Sequence, residues 1–132
     1  MSLNIRKFNK AQDGADVKKW WSKQGWDENT IHVISDTGYI VEENNVKIAA
    51  TWLIKTNTPI YMIEWTVGNP EVNWELRKEA LDSLTDYACS QAKEFGAQAV
   101  MIMTKSDRYL EKLKNNKFIE SDANMTHVIR SL

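Results

Sequence analysis

Ile60-Tyr-Met-Ile-Glu-Trp-Thr-Val-Gly-Asn-Pro-Glu71, with Arg77-Lys-Glu-Ala-Leu-Asp82 just beyond it, is the stretch on which the fold turns. Ile60 to Val67 is aromatic, β-branched and apolar over the length of a strand. After Pro70 the apolar period becomes helical: Val72, Leu76, Ala80, Leu84, Ala88, Ala92 and Phe95 share one side, and Gly96 offers a C-terminal stop. A strand therefore runs straight into a long helix. Asn69-Pro70-Glu71 supplies a cap, a first helical residue and a first-turn acid, which puts the predicted helix start near Pro70. Exposed N–H groups and the positive dipole end at such a start attract anions.

Strict alternation along the strand turns Ile60, Met62, Glu64 and Thr66 one way and Tyr61, Ile63, Trp65 and Val67 the other. Glu64 is then a carboxylate among apolar neighbours, the environment that raises a carboxyl pKa toward the range of a general base. The same residue type also serves as a salt-bridged or solvent-facing Glu on a half-exposed sheet.

Working outward, Asn4 to Phe8 is a predicted strand and Asp13 to Trp21 a helix that Asp13 caps. Asp36-Thr-Gly38 is a turn. Tyr39 to Glu43 and Val46 to Lys55 form a hairpin around Asn44-Asn45, and Thr56-Asn-Thr-Pro59 turns into Ile60 to Val67. Beyond the long helix come an apolar strand, Ala99 to Met103, a helix from Ser106 to Leu113, and a closing strand pair, Phe118 to Glu120 and Met125 to Arg130. A meander feeding a strand–helix–strand crossover predicts an α/β (α+β) fold: a mixed, mainly antiparallel sheet flanked by helices.

The 132 residues amount to a single domain, 1–132, without repeats, low-complexity tracts or Gly/Ser linkers. Seventeen Lys and Arg against 18 Asp and Glu leave a net charge of −1, which argues against nucleic acid or a membrane surface as partner. No apolar run has the length of a membrane span, and Met1-Ser-Leu-Asn-Ile-Arg lacks the design of a secretion signal. Cys89 stands alone, so neither an internal disulfide nor a cysteine metal site is expected, and a reducing cytoplasm fits. His32 and His127 have no metal-site spacing, and no metal is expected. Six tryptophans suit core and interface filling, with a substrate-lining role open to one or two.

This order of elements resembles the GNAT superfamily of N-acetyltransferases over almost the whole chain. More narrowly, Thr56-Asn57-Thr58, Ile63-Glu64-Trp65, Asn69-Pro70-Glu71, Arg77, Ala80-Leu81 and Lys117-Phe118 are similar to a group of small bacteriophage-encoded GNAT-like proteins. The resemblance implies acetyl-CoA as cosubstrate and a primary amine, small-molecule or protein, as acceptor. Glu64 would be the base. Backbone groups of Trp65, Thr66 and Val67 would hold the pantetheine arm, Arg77 and Lys78 the pyrophosphate, and Lys105 and Ser106 would lie along the arm.

The sequence departs from the family pattern twice. The family's pyrophosphate loop, Arg/Gln-x-x-Gly-x-Gly/Ala, has Arg77 in first place but Ala80 and Asp82 where glycines belong. Glycine lets the backbone approach a phosphate without a Cβ in the way, whereas these residues continue a helix or repel the ligand. The tyrosine that protonates the departing thiolate is replaced by Leu113, which leaves Tyr109, one turn earlier, as the local substitute. Two readings follow: an acetyl-CoA-dependent N-acetyltransferase, or a GNAT fold kept as a binding module, such as a phage protein directed at a host factor. Acceptor identity would be set by the loops Gln24–Asp36 and Ser121–Asn124, and pairing of C-terminal strands would allow a homo-oligomer.

Overall fold

A computed structural model describes residues 2–32, 34–104, 106–126, 128 and 130. In chain order the elements are β1 (Asn4–Lys7), α1 (Lys10–Lys23), a 3-10 turn (Glu28–His32), β2 (Gly38–Glu43), β3 (Val46–Ile54), β4 (Ile60–Gly68), α2 (Trp74–Glu94), β5 (Ala99–Ile102) and α3 (Asp107–Asn115). The chain divides into two compact units, Met1–Ile102 and Met103–Leu132. The first holds the whole sheet, ordered β1-β2-β3-β4-β5, in which β4 and β5 are parallel and every other neighbouring pair antiparallel. The expected mixed, mainly antiparallel sheet with helices is what forms.

The hairpin turn is made as the sequence predicts: Asn44 and Asn45 both take positive φ, 51° and 65°, as a tight primed turn requires. Both helix starts differ from expectation. Helix α1 begins earlier, at Lys10, because Asn9 accepts the Gln12 N–H at 3.0 Å while Asp13 reaches back to accept the Asn9 N–H at 2.8 Å. That reciprocal pair satisfies two N–H groups, where a cap at Asp13 would satisfy one. Helix α2 begins later, at Trp74, one turn past Pro70, with Asn73 accepting the Leu76 N–H at 2.9 Å. Asn69 is drawn into the preceding turn instead: its Oδ1 accepts the Glu71 N–H at 3.0 Å and its Nδ2 donates to the Lys47 carbonyl at 2.9 Å.

Each face of the sheet carries its own apolar core. On one face Leu84, Ala80, Ala88 and Ala92 of α2 pack against Tyr39, Val41, Leu53 and Ile63. Phe95, expected in this stripe, is 44% exposed because the helix ends there; its ring instead lies 3.7 Å beneath the Lys55 ammonium. On the other face Val17, Trp20 and Trp21 of α1 and Ile31 of the 3-10 turn cover Ile40, Ala50, Trp52 and Val67.

Strict alternation fails in β4. Ala50 pairs with Val67 but Trp52 pairs with Glu64, so Thr51 opposes both Trp65 and Thr66, and Trp65 takes a φ of 55°. This is a β-bulge. It moves Val67 to the α1 face, opposite to its expected side, and Trp65 packs against that same core. Thr66 lies 2.7 Å from Thr51, hydroxyl to hydroxyl.

In the second unit α3 is capped by Ser106, which accepts the Tyr109 N–H at 3.2 Å. No strand forms at Phe118–Glu120 or in the described part of Met125–Arg130. The expected closing pair is therefore absent among the described residues; Phe118 N–H is instead used at 3.0 Å on the Leu113 carbonyl, closing the end of α3.

Candidate active site

The parallel ladder between β4 and β5 ends at Ile63 and Ile102, while β4 runs on through Glu64, Trp65, Thr66, Val67 and Gly68. Past the last pair, the edge of β4 that faces β5 therefore has no β5 residue in register with it. That edge is a row of backbone amide groups, the kind of surface that takes up an extended amide-bearing chain as an added strand. The bulge sits in its middle. A tryptophan at positive φ is costly, since its Cβ crowds the backbone, and such outliers concentrate where backbone or side chain must be aimed. Here the Trp65 carbonyl accepts the Trp21 indole N–H at 3.4 Å, tying the strained residue to α1.

Glu64 stands just before the bulge, 9% exposed, opposite Trp52 on the face that α1 covers. Trp52 is the apolar neighbour directly opposite it in the sheet. On the same face a pocket of about 300 Å³ is lined by Ser35, Asp36, Ile54, Lys55 and Trp65. Sequence reasoning placed the loop ending at Asp36 near the acceptor but did not single out Ser35 or Asp36; their only signal was a turn preceding Gly38.

The junction between β4 and α2 is organised around Arg77. Its Nη1 donates to the Asn69 carbonyl at 3.2 Å and to the Val72 carbonyl at 3.5 Å, and the guanidinium lies 5.4 Å from the Trp74 ring. One nitrogen of the fork is thus spent on the loop, and the positive group is held beside the first turn of α2. Lys78 is exposed on that helix. Ala80 and Asp82 lie well inside α2, and Ala80 is fully buried against the sheet, so no glycine-type loop exists at those positions.

A charged cluster anchors α1 behind this region. Arg6 grips Asp13 through two bonds of 2.8 Å, and Lys47 lies 3.1 Å from Asp13 and 2.9 Å from Asp16. Burial pushes the Asp13 carboxyl up, but the Arg6 bonds, the Asn9 N–H and Lys47 together outweigh it and hold the group down at about 2. Lys47 is shifted up, chiefly by its bond to Asp16.

Of the remaining expected residues, Tyr109 lies half-buried in the first turn of α3 and Ser106 caps that helix, while Lys105 lies outside the described residues. Among the described residues no group of His, Cys, Asp and Glu is placed to hold a metal ion, and no helix is long and apolar enough to cross a membrane.

No family model matches the sequence, and no curated protein matches it either. Its fold is nevertheless shared with solved acetyltransferases. Glucosamine-6-phosphate N-acetyltransferase from Arabidopsis thaliana superposes with a TM-score of 0.71 at 12% identity, covering 98% of this chain and 100% of that one. An acetyltransferase of the GNAT family from Streptococcus pneumoniae gives 0.70 at 14% identity over 98% of both chains. The aminoglycoside N-acetyltransferase AAC(6')-Iy, solved in complex with the bisubstrate analogue CoA-S-monomethyl-acetylneamine, gives 0.68 at 14% identity, covering 99% of this chain and 100% of that one. The chain has the GNAT fold.

Proposed function

We propose that this protein is an acetyl-CoA-dependent N-acetyltransferase acting on a primary amine. The observation that carries the proposal is the coincidence, within five residues of β4, of a buried carboxylate, a strained bulge and a strand edge that outruns its parallel neighbour. Neighbours in fold are solved with CoA or a CoA-linked acceptor. In that reading acetyl-CoA supplies an activated acyl thioester. The backbone of Trp65, Thr66 and Val67 holds the amide-bearing arm as an added strand, and Ser106 and Lys105 keep only the role that the family resemblance implies for them. Glu64 takes the proton from the amine, Tyr109 returns one to the thiolate, and burial keeps water from competing at Glu64.

The arm fits what the backbone offers; the pyrophosphate is held differently from the family loop. Ala80 and Asp82 are helical, so phosphate oxygens would meet the first turn of α2, the remaining donors of the Arg77 fork and Lys78. With few amides in place of a glycine cradle, binding rests on charge, and it should weaken steeply with salt. The whole chain, 1–132, is read as one GNAT-like domain in the host cytoplasm of a phage-infected cell, in keeping with its resemblance to phage-encoded GNAT-like proteins.

One observation favours a second reading, a fold kept for binding without catalysis: Arg77 already spends a guanidinium nitrogen on the loop. Calorimetry with acetyl-CoA, followed by thioester consumption in the presence of simple amines, separates the two. Heat of binding with turnover supports the enzyme; absence of both leaves the binding module.

A further inference from the structure

The pocket beside Trp65 says what kind of amine would be accepted, an inference that rests on the reading just given for Glu64 but can fail separately from it. Ile54 pairs with Met62 and Trp52 pairs with Glu64, so Ile54 and Glu64 are diagonal neighbours on one face, on the order of 7–8 Å apart. The pocket of about 300 Å³ that Ile54 and Trp65 line therefore lies on the same face as Glu64 and within one diagonal step of it, although Glu64 is not among its described lining residues, and it has room for one small molecule.

The charges on its walls are one-sided. Asp36 is exposed at the rim, with the Thr37 hydroxyl donating to it at 3.2 Å. Ser35 uses its hydroxyl on the Leu53 carbonyl at 2.7 Å. Lys55 is the one cation among the described lining residues, and its ammonium sits 3.7 Å over the ring of Phe95, which is not among them. An aromatic indole and a carboxylate, with the lysine ammonium held on Phe95, make a site for a positive group. The strained backbone at Trp65 aims that indole.

The reacting nitrogen cannot be that positive group. As the new N–C bond forms and the thioester C–S bond breaks, Glu64 takes the proton that the nitrogen gives up, and the sulfur leaves as a thiol after gaining one. The attacking amine is neutral, whereas the Asp36–Trp65 site keeps its preference for a cation throughout. We infer that the acceptor is a compact diamine: one amino group reacts at Glu64 while a second, still protonated, is held between Asp36 and the Trp65 indole.

The test uses the full chain and two probes with the same four-carbon chain, butane-1,4-diamine and butylamine. Calorimetry without acetyl-CoA measures the pocket alone; initial rates with acetyl-CoA measure kcat/KM for each probe. The expected result is a diamine affinity and kcat/KM at least about 10-fold above those of butylamine, with Asp36→Asn collapsing both ratios toward one. Trp65→Leu, which removes the ring but keeps apolar volume, should lower both ratios as well and serves if Asp36→Asn fails to fold. Equal treatment of the two probes, or ratios that survive both substitutions, overturns the inference while leaving an acetyltransferase intact. Diamine-selective binding without any response to acetyl-CoA would reject the enzyme reading and keep the diamine site.

Discussion

Gly68 lies directly beneath the stem of Arg77: a Cβ added to Gly68 would stand 2.5 Å from Arg77 Cδ and 2.7 Å from its Cγ. The end of β4 and the first turn of α2 are thereby locked to each other, since the same arginine holds the Asn69 carbonyl. Gly68→Ala must push the arginine off the loop and should cost roughly 1–3 kcal/mol. In a double-mutant cycle with Arg77→Ala the double variant should lose much less than the sum of the two single losses, because either change alone already dissolves the same contact. Urea denaturation of the four proteins measures it, and full additivity would show that Arg77 does not depend on Gly68.

Asp13 predicts an acid limit. Its carboxyl is held at about 2 in the folded chain against an ordinary 3.8, so it is the charged form that folding favours. The stabilisation is fully present above about pH 4 and drains away as pH falls through 2, and a shift of this size corresponds to roughly 2–3 kcal/mol. Asp13→Asn should therefore lose stability at pH 7 by a few kcal/mol, and the gap to wild type should shrink steadily below pH 4. Denaturant midpoints taken from pH 7 to pH 2 check both the size and the direction.

Trp65 should separate strain from packing. At a φ of 55° glycine is unstrained, whereas alanine keeps the strain and loses the indole. Trp65→Gly should accordingly be the more stable of the two, by about 1 kcal/mol, reversing the usual order in a strand. Thermal denaturation of both variants is sufficient. An alanine variant as stable as the glycine one would mean that the bulge relaxes once the ring is gone.

Glu64→Gln keeps the shape of the side chain and removes its basicity. Turnover of an accepted amine should fall by about 10²–10⁴-fold with acetyl-CoA affinity nearly unchanged, since the loss falls on proton removal. Single-turnover rates beside calorimetry resolve the two quantities. Unchanged turnover would return Glu64 to a role in the sheet.

Much of this architecture can be read from residues alone. The stripe Leu76, Ala80, Leu84, Ala88 and Ala92 and the Asn44-Asn45 turn are local patterns, and local patterns survive folding. The misplaced features are decided by competition or by distance. Asn69 and Asn73 are both sound caps, and the choice went to Asn73 because Asn69 has a partner across the sheet, the Lys47 carbonyl. The bulge at Trp65 exists only in the pairing of β4 with Thr51, so a single strand read alone turns Val67 to the wrong face. The pocket is hidden for the same reason: Asp36, Ile54 and Trp65 come from three separate segments and share no spacing. Glu64 is conspicuous in the sequence by itself, as a carboxylate in an otherwise apolar strand.

Uptake of acetyl-CoA by the β4 edge and the α2 start is the step on which the proposed activity depends. Titration calorimetry of acetyl-CoA into the wild-type chain, at low and at physiological salt, tests it most directly. Heat of binding that weakens sharply with salt is expected, with a matching rise in melting temperature, because a ligand taken up by the folded state alone must stabilise it. No heat at millimolar acetyl-CoA in low salt, with an unmoved melting temperature, would contradict it.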